Sequence, residues 1–129
     1  MTTSVSIMLA VGDCAAAVAW YREALDASVL WDLGSVAGLS VGGAAFFLHE
    51  PVAGKFASPI DAGVTTARVE LFCDAPEVVI ARAVAAGAEG REVETHEAPW
   101  GQHRQGSFTD PFGHVWHVGD RSPLIPAIM

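Results

Sequence analysis

Long apolar runs are missing from this sequence, and so is a basic, apolar leader at its start. No stretch reaches the length that a membrane-crossing helix needs. Met1-Thr2-Thr3-Ser4 has neither the charged beginning nor the apolar middle of a signal peptide. The expectation is a cytoplasmic protein with no membrane partner. Positive charge is scarce too: seven Lys and Arg stand against fifteen Asp and Glu, a net charge of -8. Such a chain is a poor match for a phosphate backbone, which argues against a nucleic-acid partner. Its field favours cationic or neutral small molecules, although acidity also serves plain solubility. Cys14 and Cys73 are the two cysteines, and they form no Cys-x-x-Cys motif. Each lies beside an acidic residue that opens a predicted helix, where a thiol of low pKa is conceivable. The preferred reading is small apolar filler in a reducing compartment. Catalytic signatures are lacking as well. There is no Gly-x-Ser-x-Gly, no phosphate-cradling loop and no His-Glu-x-x-His, and Ser6 has no base beside it.

Apolar residues, by contrast, are plentiful. They make up 51% of 129 residues, with a mean hydropathy of +0.35. That excludes disorder, fits one domain with its own core, and suggests surface buried against another subunit. Ser4 to Val11 alternates Val5, Ile7, Leu9 and Val11 with Ser6, Met8 and Ala10, the pattern of a half-buried strand. Asp13 then caps a helix to about Leu25, with a stripe through Ala17, Trp20, Tyr21 and Leu25. Three short strands follow, Ser28 to Leu33, Val36 to Val41 and Ala44 to His49, separated by turns at Gly34 and Gly42-Gly43. A Pro-, Gly- and Ala-rich stretch over 51–63 reads as a linker.

The same order then recurs. Thr65 to Cys73 is a predicted strand with Arg68 and Glu70 on one face. Asp74-Ala75-Pro76-Glu77 predicts a helix capped by Asp74 and ending at Gly87. Glu89 to Thr95 is a strand, and a loop through Pro99-Trp100-Gly101 leads to a final hairpin. There Asp110-Pro111-Phe112-Gly113 has the residue types of a type I turn, joining Gln105–Thr109 to His114–Val118. The organisation is two βαβββ modules, at about 4–50 and 64–120, with an apolar tail at 121–129 that calls for cover.

This pattern, from VGDCAAAVAWYREAL through CDAPEVVIARAVAAGAE to DPFGHVWHV, resembles the vicinal oxygen chelate superfamily. That superfamily holds glyoxalase I, the bleomycin-resistance proteins and ring-cleaving dioxygenases. The resemblance implies an α+β fold whose two modules form an eight-stranded, cup-shaped mixed sheet with helices outside, enclosing a site. It also implies where metal ligands would stand in an enzyme of the family: Ser6, Phe47, Arg68 and His117. A hydroxyl, a phenyl ring, a guanidinium and one imidazole do not make a divalent site, and a permanent cation at Arg68 would repel the ion. The expectation is no metal and no cofactor, with His117 a hydrogen-bonding pocket histidine. A non-standard pairing of His49 with His117 stays open.

Arg68 and Glu70 are either a ligand-reading pair or a self-neutralising pair near a rim. Trp31, Phe47, Phe56 and Trp100 are candidates to line a flat apolar pocket, whereas Trp20 and Trp116 read as core. His114 is expected to serve the turn, and His96 and His103 to lie in or beside a loop. The function implied is a metal-independent protein that sequesters an aromatic or amphipathic small molecule, such as an antibiotic. The alternative is a lyase, isomerase, dioxygenase or thiol transferase working through His117. A homodimer is expected, because family cups pair modules within one chain or between two.

Overall fold

The structure, a computed structural model, describes residues 2–99 and 101–124. It divides into two compact units, residues 1–64 and 65–129. The first unit runs β1 (Met8–Ala10), α1 (Cys14–Leu25), β2 (Ser28–Asp32), β3 (Val36–Val41), β4 (Ala44–His49) and a short α2 (Pro59–Ala62). Its strands form a mixed sheet in the order β1-β4-β3-β2, with β1 parallel to β4 and the other neighbours antiparallel. The second unit runs β5 (Val69–Phe72), α3 (Pro76–Ala85), β6 (Glu89–Ala98), β7 (Gly101–Thr109) and β8 (Val115–Gly119). Its sheet repeats the plan as β5-β8-β7-β6, with β5 parallel to β8. The fold is therefore α+β, built of two βαβββ modules, each carrying a four-stranded mixed sheet. No described helix is long and apolar enough to cross a membrane.

Local chemistry accounts for most of these elements. Asp13 caps α1 by accepting from the Ala16 N–H at 3.0 Å, and Ala17, Trp20, Tyr21 and Leu25 are buried along one stripe. A second carboxylate, on Glu50, accepts from the Cys14 N–H at 3.0 Å and satisfies another first-turn donor. The helix packs on β3 and its neighbours, over a core that includes Val11, Leu39 and Leu48. In the second unit α3 packs on β6, β7 and β8 around Phe108, Trp116 and Val118. Gly106 permits that approach: a Cβ there would stand 2.6 Å from Ile80 Cδ1. Gly87 follows α3 with φ +112, the left-handed conformation of a C′ glycine.

Several expectations need correction, and the second module's first strand, Val69–Phe72 rather than Thr65 to Cys73, is among them. The first strand spans three residues rather than Ser4 to Val11, because β4 offers β1 partners only at Phe47 to His49. Val5 and Ile7 are left 87% and 57% exposed. Alternation reports which faces a stretch can bury, whereas the ladder partner sets how long the strand is. The cap of α3 is Ala75, without a side-chain bond, and not Asp74. Pro76 occupies the first helical position and excludes Ala75 from helical geometry, which leaves Asp74 one residue too early. Glu77 pairs instead with Arg104. The linker is not featureless: Val52 bridges Phe56, and Ser58 caps α2 through the Asp61 N–H at 3.3 Å. Lastly, β7 starts at Gly101, not Gln105, so β6 and β7 form one long hairpin. His96 and His103 are consequently cross-strand partners with ring centroids 5.4 Å apart, and not loop residues.

Candidate functional site

The closing turn is built by one carboxylate. Asp110 Oδ1 accepts from the backbone N–H groups of Phe112 and His114 at 2.9 and 3.0 Å, and Oδ2 accepts from Trp116 Nε1 at 3.0 Å. Asp110 and His114 complete the closure through Asp110 N to His114 O, at 2.9 Å. This pins β8 against β7 and stacks Trp116 on Phe108 at 5.9 Å between centroids. With Trp116 and Val118 directed to the core, alternation leaves His117 on the opposite face of the sheet.

On that face, successive strand partners make a polar row. Glu70 on β5 stands beside His117 on β8, which stands beside Ser107 on β7, which stands beside Arg91 on β6. Neighbouring strands lie about 4.8 Å apart, so the four side chains are adjacent. Arg68 joins through its Nε, 3.7 Å from Glu70 Oε2, and Gln105 Nε2 donates to Glu70 Oε1 at 3.4 Å. Arg91 lies over β7, donating to Ser107 Oγ at 3.3 Å and to Thr109 Oγ1 at 2.8 Å. Buried His117 Nδ1 has no hydrogen-bond partner among the described residues.

The first unit has a row in the corresponding place, and it is apolar. Met8, Phe47, Gly38 and Trp31 are successive partners across β1, β4, β3 and β2. The Trp31 indole lies against Gly38, with its centroid 6.5 Å from that of Phe47. It remains 43% exposed. His49, two residues beyond Phe47, donates through Nδ1 to the Glu50 carbonyl at 2.6 Å and packs its ring edgewise on Phe56 at 5.4 Å.

The sequence candidates thus fall into groups. Trp31 with Phe47, and His49 with Phe56, are brought together in the first unit; Arg68, Glu70 and His117 are brought together in the second. Ser6 is exposed and precedes β1, and the partner of Phe47 on that strand is Met8. Trp100 lies outside the described residues. Arg91, Ser107, Gln105 and Gly38 were not singled out from sequence. Their signal was alternation along strands already recognised, but it acquires meaning only once the register is known.

Electrostatics separate the thiols from the imidazole. Burial first, and nearby carboxylates second, raise the Cys14 pKa, and burial likewise raises that of Cys73. Neither is a low-pKa thiol. Burial also pushes the His117 pKa down, aided by the charge of Arg68 and more weakly Arg91, while Glu70 pulls it up. The unfolded chain then takes up a proton on this group at a higher pH than the folded one. Stability should fall as pH drops from about 6.5 toward the lower folded value, then level off. His117→Gln should flatten that part of the curve in urea titrations at about pH 7.5 and 5.5. An unchanged difference between the two pH values would remove His117 from the balance.

Taken unit by unit, the positions that the resemblance marks for metal ligands do not suit a divalent ion. In the first unit Phe47 has no lone pair to give; in the second, Arg68 brings a fixed positive charge beside Glu70, and the positive charges of Arg68 and Arg91 both act on His117. Among the described residues no three His, Cys, Asp or Glu side chains are grouped to hold a metal.

Solved structures share this fold. TioX from Micromonospora sp. ML1 is 23% identical, with a TM-score of 0.70 over 94% of this chain and 100% of its own. A gene product from Arabidopsis thaliana is also 23% identical, with a TM-score of 0.73 over 93% and 100%. The fosfomycin resistance protein FosX from Mesorhizobium loti is 13% identical, with a TM-score of 0.67 over 96% and 97%. No curated protein sequence matches. The family model of the Glyoxalase/Bleomycin resistance protein/Dioxygenase superfamily matches residues 3–118, and the chain belongs to that superfamily.

Proposed function

We propose that this chain is a metal-independent binding protein that sequesters an aromatic or amphipathic small molecule, with antibiotics the favoured class. The observation that carries the reading is the Trp31 ring, laid on Gly38 beside Phe47 yet 43% exposed. A large aromatic held on a sheet face without being covered is a surface for a flat ligand. The donor set at the family's metal positions points the same way. A fosfomycin resistance protein among the structures of the same fold supports the resistance role. An enzyme working through His117 is the second reading, favoured by the unpartnered Nδ1.

Titrating tryptophan fluorescence with a panel of aromatic antibiotics tests this. Saturable quenching is expected, and Trp31→Ala should weaken it by roughly fivefold to thirtyfold, the worth of about 1–2 kcal/mol of ring contact. A Trp100→Ala variant tests the other candidate ring. Quenching that neither substitution alters would remove the pocket assignment. Elemental analysis of protein purified without chelator is the second arm, and near-stoichiometric transition metal there would move the reading to the enzyme.

The same reading takes the protein as a homodimer, since Val5, Ile7 and Leu124 are exposed apolar residues in want of cover. Sedimentation at micromolar concentration should find the dimer. Monomer alone would exclude it.

A further inference from the structure

Arg91 is unusual in an acidic chain. Fifteen Asp and Glu are present, yet this guanidinium has no ion-pair partner among the described residues. It is held instead by two neutral hydroxyls on β7, those of Ser107 and Thr109. Both hydroxyl oxygens accept from Arg91, so each hydroxyl hydrogen is left to donate elsewhere. The nearest carboxylate of the row, Glu70, is engaged by Arg68 and Gln105. The neighbour on the other side of Ser107 is His117, whose buried Nδ1 lacks a partner. A fixed cation, two hydroxyls and an imidazole therefore stand on adjacent strands, with no acidic group tied to the cation.

Resting on the small-molecule reading above, we propose that Arg91 and His117, both on the sheet of the second unit, form a subsite for a compact oxyanion, a carboxylate or a phosphonate. Ser107 and Thr109 are positioning residues that keep the guanidinium over β7. A charge-assisted bond from Arg91 is roughly twice as strong as a neutral one, so the subsite discriminates a carboxylate from the matching carboxamide. It rejects an ammonium group through Arg91. The overall charge of -8 thus does not decide ligand charge at this place.

The test uses probes without an aromatic ring, so its failure is separate from failure of the antibiotic titration. The full chain is titrated with acetate, methylphosphonate and acetamide while the backbone amides of Arg91, Ser107 and His117 are followed by NMR. Saturable shifts are expected with one or both oxyanions and none with acetamide, and the tighter oxyanion identifies the class. Arg91→Gln should weaken the effect by about tenfold or more, and Arg91→Lys by less. Oxyanions that perturb these amides no more than acetamide, or that bind Arg91→Gln as well as the parent, overturn the proposal.

Discussion

Asp110→Ala should lower the unfolding free energy by about 4 kcal/mol, a large part of the 5–15 kcal/mol typical of a domain. The carboxylate is 4% exposed and is the acceptor for three donors, the Phe112 and His114 N–H groups and Trp116 Nε1. Alanine fills none of these roles. His114 and Trp116 are buried, so water cannot replace the lost acceptor, and each stranded donor costs about 1–3 kcal/mol. Asp110→Asn keeps one acceptor oxygen but turns an NH2 group on a donor, so roughly half the loss is expected. Urea unfolding of the three proteins measures this. A loss below about 1 kcal/mol for Asp110→Ala would mean that the Pro111-Gly113 backbone shapes the turn without the carboxylate.

That turn was legible because its chemistry is local. Asp110, Pro111 and Gly113 declare it within four residues, and Asp13 declares the start of α1 in the same way. The repeat of strand, helix and three strands was legible for a related reason, since each module states its own periodicity. What escaped depends on partners distant in sequence. Glu50 caps Cys14 across 36 residues, and nothing near either residue announces it. The length of β1 is set by β4.

The candidate site shows the same division. His117 could be placed by alternation from a recognisable turn, and Glu70 by alternation along its strand, whereas Arg68 falls just before β5 begins at Val69. Arg91 could not, because the register between β6 and β7 shifts between Arg91 and Glu94. Such an irregularity breaks the simple alternation from one part of a strand to the next. Trp31 and Phe47 were each recognisable as pocket candidates, but their adjacency is mediated by Gly38 on the strand between them. A glycine announces nothing about which ring will lie on it until the sheet is assembled.

Gly38→Ala should therefore abolish most aromatic-ligand binding while leaving the fold intact. A Cβ at Gly38 would stand 2.5 Å from both Cε2 and Nε1 of Trp31, against the 3.5–4 Å that carbon contacts prefer by about their van der Waals minimum. The indole is rigid and cannot yield within its plane, but it is 43% exposed and can swing outward. Gly38 does not need positive φ, so alanine suits the backbone and narrows the unfolded ensemble. The expected change in unfolding free energy is within about 1 kcal/mol. The expected change in affinity is about tenfold or more, because the ring leaves Phe47 and the flat surface is lost. Trp31→Ala should cost about as much, and the double variant little beyond either single one, since both act through one ring. Additive losses in that cycle would show that Gly38 touches the ligand by another route. Full affinity in well-folded Gly38→Ala would show that the surface formed by Trp31 and Phe47 is not where the ligand binds.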